Sequence, residues 1–560
     1  MSAEDVFAII SYLSVPDRTI MYYYPDFMRI LFRGFVLIFS AFAWTSGAQP
    51  ILDGDITVSV STLAVLPDTR DTVLLPERKG SDIARVNFVR STSDGRMFAN
   101  DQRGQLYEFD GSRAVTQVFD LRDAAPDLFD NIRFNSGNAE GFISFEFHPE
   151  FNSVGSEGYG KFYTIHSERT SAFTTQEAVD LKPDFVPPDF TADEMRHHTV
   201  ISEWAVSAPG STDFSGSRRE LLRVGTRPTS YFHPFGDLRF NPYSLPGDDD
   251  YGLLYISGGD HGFINGRGAG GADGSSDSPR PEALQRTDSL AGTVIRIDPR
   301  DSATTGGTQG LGDYTVPDIN PFATDGDADS LGEILAYGFR NGHRMSFDES
   351  GNIFVSSIGQ AEVETVYLLQ EGKNHGWSDR EGRSINGLDT DDGGNGNADT
   401  AFVPDPIRDA AVDDNDDFVY PVLEYYHEEG RAAIAGGVVY RGDDIPELIG
   451  KFVFGDLLTG DLFYADLEDL LAVDLEDIFA LSAEFYRLNL VNENGDPLDA
   501  ISDLTGGRVD MRLHLNADGE ILFSSKTGGF IGSLTAIPEP ATAVLLALPA
   551  LLFGRSRRLR

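Results

Sequence analysis

The sequence contains no cysteine, so disulfides, thiolate nucleophiles, iron–sulfur clusters and cysteine-ligated zinc are excluded at the outset. Export stays open, because a core of this size needs no covalent cross-links. Basic residues are also scarce. The 44 Lys and Arg face 89 Asp and Glu, a formal net charge of −45. A polyanion of this kind is repelled by nucleic acid and by anionic lipid, which removes both as expected partners. The apolar run near the N-terminus, Gly34 to Trp44, is too short to cross a bilayer comfortably.

What is present points to a packed, turn-rich protein. Apolar residues make up 40% and aromatics 11%, which suits a globular core rather than a disordered chain. Fifty-nine glycines, many in Asp-Gly or Asn-Gly pairs, mark frequent turns. The acidic surplus reads as a solvated surface. The loops "TDGDADS" (324–330) and "DTDDGGNGNAD" (389–399) offer carboxylates to calcium but lack the full spacing of a helix–loop–helix site.

Both ends read as addresses. In "MRILFRGFVLIFSAFAWTSGAQP" (28–50), Arg29 and Arg33 precede the apolar run, and Ser46 and Ala48 follow at signal-peptidase spacing. Residues 1–48 are therefore expected to be a secretory signal, with Met28 as an alternative start. The last residues, "AIPEPATAVLLALPALLFGRSRRLR" (536–560), carry Pro538-Glu539-Pro540, then 14 small or apolar residues, then Arg555, Arg557, Arg558 and Arg560. This tail resembles the PEP-CTERM sorting signal of bacterial envelope proteins; a simple tail anchor is the alternative. The resemblance implies an exosortase-type processing enzyme as partner. It also implies transient membrane anchoring and a final place in the periplasm, outer envelope or extracellular matrix.

Between the ends, residues 49–535 repeat one local pattern: a Gly- or Asp-containing turn, apolar or aromatic residues, small residues, often another glycine. It appears in "SDGRMFANDQRGQLYEF" (93–109), "YGLLYISGGDHG" (251–262), "SGNIFVSSIGQ" (350–360) and "NADGEILFSSKTGGFIGSL" (516–534). Apolar runs bounded by turn signals predict antiparallel strands. Their repetition predicts an all-β propeller with long acidic loop inserts, a pair of sandwiches being the competitor. Residues 466–485 read as a short helix or an insert. Loops at one end of such a propeller converge on a central depression, where a site is expected.

Four stretches then resemble the soluble quinoprotein sugar dehydrogenases, the glucose/sorbosone dehydrogenase family. They are "NAEGFISFEFHPEF" (138–151), "FHPFGDLRFNP" followed by "YISGGDHG", "EILAYGFRNGHRMSFDESGNIFVSSIGQAEVETVYLLQEGKNHGW" (333–377) and "AIAGGVVYRGDDIPELIGKFVFGD" (433–456). The resemblance implies a six-bladed propeller holding pyrroloquinoline quinone (PQQ) and Ca²⁺. It implies His233 as general base and Glu140 as a residue orienting the substrate. Arg340 and Asn341 are implied as PQQ ligands, and the Gly359 and Gln360 carbonyls as calcium ligands. A forked guanidinium suits a carboxylate or quinone oxygen, and calcium prefers carbonyl oxygens. Asp260 is expected to support its loop, His148 to be structural, His197 and His198 to hold no metal, and Trp377 to pack within a blade.

The pattern also departs from the family. Glucose-oxidising relatives carry a quinone-bonding lysine in a fifth-blade loop that here reads "GDLLTGD" (455–461). Their paired arginines have only an approximate echo in Arg508 and Arg512, and Lys526 in "SSKTGG" is a candidate replacement cation. The expected activity is oxidation of a sugar or related alcohol by hydride transfer to calcium-bound PQQ, with an electron acceptor the sequence does not name. The alternatives are a non-catalytic envelope propeller binding a polysaccharide or protein, and a calcium-dependent propeller hydrolase.

Overall fold

The computed structural model describes residues 50–537 apart from 73–81, 126–139, 170–181, 188–190, 193–194, 196, 227–232, 262–283, 361–362, 378 and 386–417. The expected signal segment, nearly all of the sorting tail and the 389–399 acidic loop lie outside the described residues. Among the described residues, no helix is long and apolar enough to cross a membrane.

The turn chemistry legible in the sequence closes the hairpins. In "DESGN", Asp348 Oδ1 accepts from the amides of Ser350 and Asn352 at 2.9 Å each. Gly351 takes φ +82°, a left-handed conformation that costs glycine nothing. The turn joins the strands Gly342–Phe347 and Ile353–Ser357. Asn516 plays the same part in "NADGE", between Met511–Leu515 and Ile521–Ser525.

Four such four-stranded antiparallel sheets follow one another, over residues 86–120, 142–226, 237–337 and 342–426. A further nine-stranded sheet runs from Ile434–Val439 through Tyr486–Asn492 to Leu52–Val65, then back through Phe530–Ala536 to Met511–Leu515. The 14-residue strand Leu52–Val65 is its seam. It pairs parallel with Tyr486–Asn492 and antiparallel with Phe530–Ala536, tying the two ends of the propeller domain together. In the 466–485 segment, helix extends only over Leu467–Leu471.

The arrangement is propeller-like. The first strands Val86–Ser91, Phe142–Phe147, Asp237–Phe240 and Gly342–Phe347 lie each against the next, and Ile434–Val439 and Met511–Leu515 carry the circuit back to Val86–Ser91. Aromatic side chains fill the wedges between sheets. Phe147 packs 4.8 Å from Phe98 and 4.7 Å from Phe151 between the first two sheets, with Phe162, Trp204 and Phe214 around them. The inner strands are also joined by charge. Arg90 pairs with Asp237 at 2.6 Å and with Glu146 at 2.9 Å, while Asp237 Oδ2 accepts from the Met345 amide at 3.0 Å. One buried carboxylate thus holds three strands of different sheets.

Candidate functional site

Three of the first strands are irregular where they enter the ring. Pairing skips Asn87 between Val86 and Phe88, Ile143 between Phe142 and Ser144, and His343 between Gly342 and Arg344. A bulged residue leaves the strand's alternation and re-aims its side chain. All three skipped residues line one cavity of about 310 Å³. His233, Asn341, Arg508 and Lys526, named from the sequence, line the same cavity, although they come from different sheets.

His233 sits at its edge with φ +48°, a strained conformation for a residue with a Cβ. Its Nδ1 lies 2.7 Å from Asp260 Oδ1, and Asp260 Oδ2 accepts from the Trp377 indole at 3.2 Å. A carboxylate can only accept, so Nδ1 carries the proton and Nε2 is the acceptor nitrogen. Sequence reading placed Asp260 as loop support and Trp377 as blade packing; the structure gives them the orientation of His233. The signal was the small-residue turn "SGGDHG". A Cβ on Gly259 would lie 2.7 Å from both the Arg340 carbonyl oxygen and His233 Cβ. Gly259→Ala is therefore expected to cost about 1–3 kcal/mol of stability, read from urea unfolding, and to displace His233 from Asp260.

Opposite polarity marks the rest of the wall. Among the described residues, Arg344, Arg508, Arg512 and Lys526 line the cavity against a single carboxylate, Asp510, in a chain of net charge −45. Arg508 pairs with Asp510 at 2.5 Å and is half exposed. Arg344 donates to the Asn87 carbonyl at 2.9 Å and stacks on Phe88, yet its Nε and Nη1 have no hydrogen-bond partner among the described residues. The same holds for Arg512 Nε and for both ring nitrogens of His343. Burial and then the neighbouring cations lower the proton affinity of this wall. Burial opposes the charge of Arg344 and Arg512, which as guanidiniums keep their protons, and it pushes Lys526 and His343 well below their ordinary values. Orphaned buried donors and uncompensated cations fit a flat tricarboxylate such as PQQ.

The remaining sequence-predicted residues are not on that wall. Arg340, 9% exposed, lies over the Trp377 ring and donates through Nη1 to the carbonyls of Ile358, at 3.1 Å, and Gly359. The Gln360 amide donates to Glu381 Oε1 at 2.7 Å. The Gly359 carbonyl thus serves a guanidinium, which an ion sharing that oxygen would have to displace. Glu140 is buried, 5% exposed, outside the cavity lining. The 455–461 loop reaches the cavity through Leu457, an apolar side chain. Among the described residues, the acidic groups close enough to share an ion are Asp443, Asp444 and Glu520, but Glu520 already accepts from the Tyr440 hydroxyl and two backbone amides.

Residues 249–498 match the model of the family described as Glucose / Sorbosone dehydrogenase. The HIPL1 protein of Arabidopsis thaliana is 29% identical over 452 residues, covering 77% of this chain and 59% of that protein. The HIPL2 protein of the same plant is 27% identical over 358 residues, covering 60% of this chain and 45% of that one. The chain thus spans about half the length of the curated relatives it matches. Among solved structures, the soluble aldose sugar dehydrogenase of Escherichia coli in its apo-form aligns over 86% of this chain and all of that one. The TM-score is 0.52 and the identity 16%, a likeness of fold.

Proposed function

We propose that the chain is a quinoprotein dehydrogenase of the glucose/sorbosone class that oxidises a sugar or related alcohol. The observation that carries this reading is the pairing of an Asp260-oriented imidazole with a four-cation wall across one cavity. When bound there, PQQ supplies the two-electron acceptor for hydride from the hydroxyl-bearing carbon. The protein's own residues do the rest. Arg344, Arg508, Arg512 and Lys526 hold the carboxylates, and Asn341 is placed to donate to the cofactor. His233 Nε2 takes the hydroxyl proton, since neutral imidazole is the side chain suited to that task near neutral pH. Asp260 stabilises the imidazolium so formed and keeps the ring in one orientation. Glu140 remains our choice for a substrate-orienting residue reached from beside the Phe142–Phe147 strand.

Calcium belongs to the reading through the Gly359 and Gln360 carbonyls. An ion there would replace Arg340 on the Gly359 carbonyl and would free that guanidinium to help hold the cofactor. PQQ uptake is accordingly expected to weaken on treatment with EGTA and to recover when calcium is returned, followed by the absorbance of bound PQQ. EGTA-insensitive uptake would remove calcium from the account. We also read the nine-stranded sheet as two blades stitched along Leu52–Val65, which makes six in all. Export through residues 1–48 and sorting by an exosortase-type enzyme through 536–560 complete the proposal, with an envelope or extracellular location and an acceptor still to be named. The functional test is dye reduction by the PQQ-loaded protein across a panel of aldoses and polyols. Turnover on at least one is expected; PQQ binding with no turnover on any would leave a binding propeller.

A further inference from the structure

Lys526 is the one ammonium among the residues that line the cavity, and its surroundings are unusual. It follows the strand Ile521–Ser525, and its own amide is tied to the Asp510 carbonyl at 3.3 Å. The residue is 2% exposed, and its side chain makes no ion pair or hydrogen bond among the described residues. Around it stand Arg85, Arg344 and Arg512, with Asp510 as an anion that favours its charged form; Arg508, His343 and His233 share the cavity. Asp510 is paired with Arg508 and acts on Lys526 as well, so one carboxylate is shared among several cations. Arg85 is held by Asp82 and Gln102 and is not available to a ligand in the same way.

A buried amine in such company sheds its proton more readily than a solvated one, because burial and three guanidiniums all oppose the charged form. A carboxylate brought into the same cavity reverses the balance, since it can accept a hydrogen bond only from the protonated amine with full charge assistance. Guanidiniums cannot follow this course, as they stay protonated throughout.

We infer that Lys526 is a proton-linked latch for the anionic cofactor: it takes up a proton from solvent as a carboxylate of the quinone enters the cavity, and gives it back on release. This rests on reading the cavity as a quinone site. The balance is simple. Lys526 amine plus one proton gives the ammonium, and the ligand's carboxylates, ionised well below neutral pH, contribute none. Loading is therefore weakened by raising pH, independently of any turnover.

Isothermal titration of the full chain with PQQ, at each pH from 8 to 9.5 in two buffers of different ionisation enthalpy, reads proton uptake directly. Burial pushes His343 well below its ordinary value, so it does not supply the signal in that range. Wild-type protein is expected to gain a proton fraction rising toward one per PQQ bound. Lys526→Met is expected to bind roughly 10- to 100-fold more weakly, with no uptake. Lys526→Arg is expected to bind with no uptake, because its cation is permanent. The Met variant replaces a buried amine, which finds no partner in the empty cavity, by an apolar chain of similar length, so without ligand it should melt no lower than wild type, which shows that it folds. Tight PQQ binding without proton uptake by wild type, or uptake preserved in Lys526→Met, overturns the latch and leaves the quinone site standing. Failure of wild type to bind PQQ at any pH overturns the quinone reading itself, and the latch with it.

Discussion

His233→Ala is expected to lower PQQ-dependent turnover by about 10²- to 10⁴-fold while PQQ still binds, because general-base catalysis by a positioned imidazole is worth that much. The geometry makes the separation clean. His233 approaches the cavity from its edge, and the cations suited to the carboxylates belong to other strands. Removing the imidazole takes away the proton acceptor without touching that wall. Asp260→Asn tests the same idea from behind. An amide can present its NH₂ to Nδ1 and drive the proton to Nε2, converting the acceptor into a donor. Its loss should approach that of His233→Ala, with PQQ affinity again retained. Turnover within threefold of wild type in His233→Ala would remove the base from the mechanism.

The second large effect concerns stability. Asp237→Ala is expected to cost about 3–5 kcal/mol, measured by urea unfolding, because it leaves buried Arg90 and the buried Met345 amide without their shared carboxylate. Asp237 is 1% exposed, so water cannot replace the lost oxygens without opening the ring. Glu146 still faces Arg90 and limits the damage on that side. Asp237→Asn keeps an acceptor for Met345 and should lose less. A change below about 1 kcal/mol in the alanine variant would mean that the ring of first strands is held by packing alone.

Local chemistry was legible in the sequence, and three-dimensional convergence only partly so. Turns such as "DESGN" and "NADGE" announce themselves because an Asx side chain and a glycine at fixed spacing are what the backbone requires there. The strands between them follow, and with them the all-β, propeller-like arrangement. His233, Asn341, Arg508 and Lys526 are legible in the sequence as candidates, and they share a cavity. Arg344 and His343 give no such signal because a bulge decides where they point, and a bulge leaves no periodic trace in a sequence. Asp260 was undervalued for another reason. Its partner lies 27 residues away, and only the bare backbone of Gly259 lets the two segments meet. Arg340 sits beside the site but faces carbonyls, an orientation no residue type specifies. The parallel seam formed by Leu52–Val65 was likewise invisible, since pairing partners more than 400 residues apart are set by the closed ring and not by local pattern.

The central claim is that a strongly acidic protein keeps one cation-lined hollow for an anionic quinone. Equilibrium titration of purified apo-protein with PQQ, followed by absorbance after gel filtration, tests it most directly. The account requires one PQQ per chain, retained through the column and lost together with affinity when Arg512 is replaced by methionine. Protein that emerges free of PQQ, or that binds it equally well without Arg512, would contradict it.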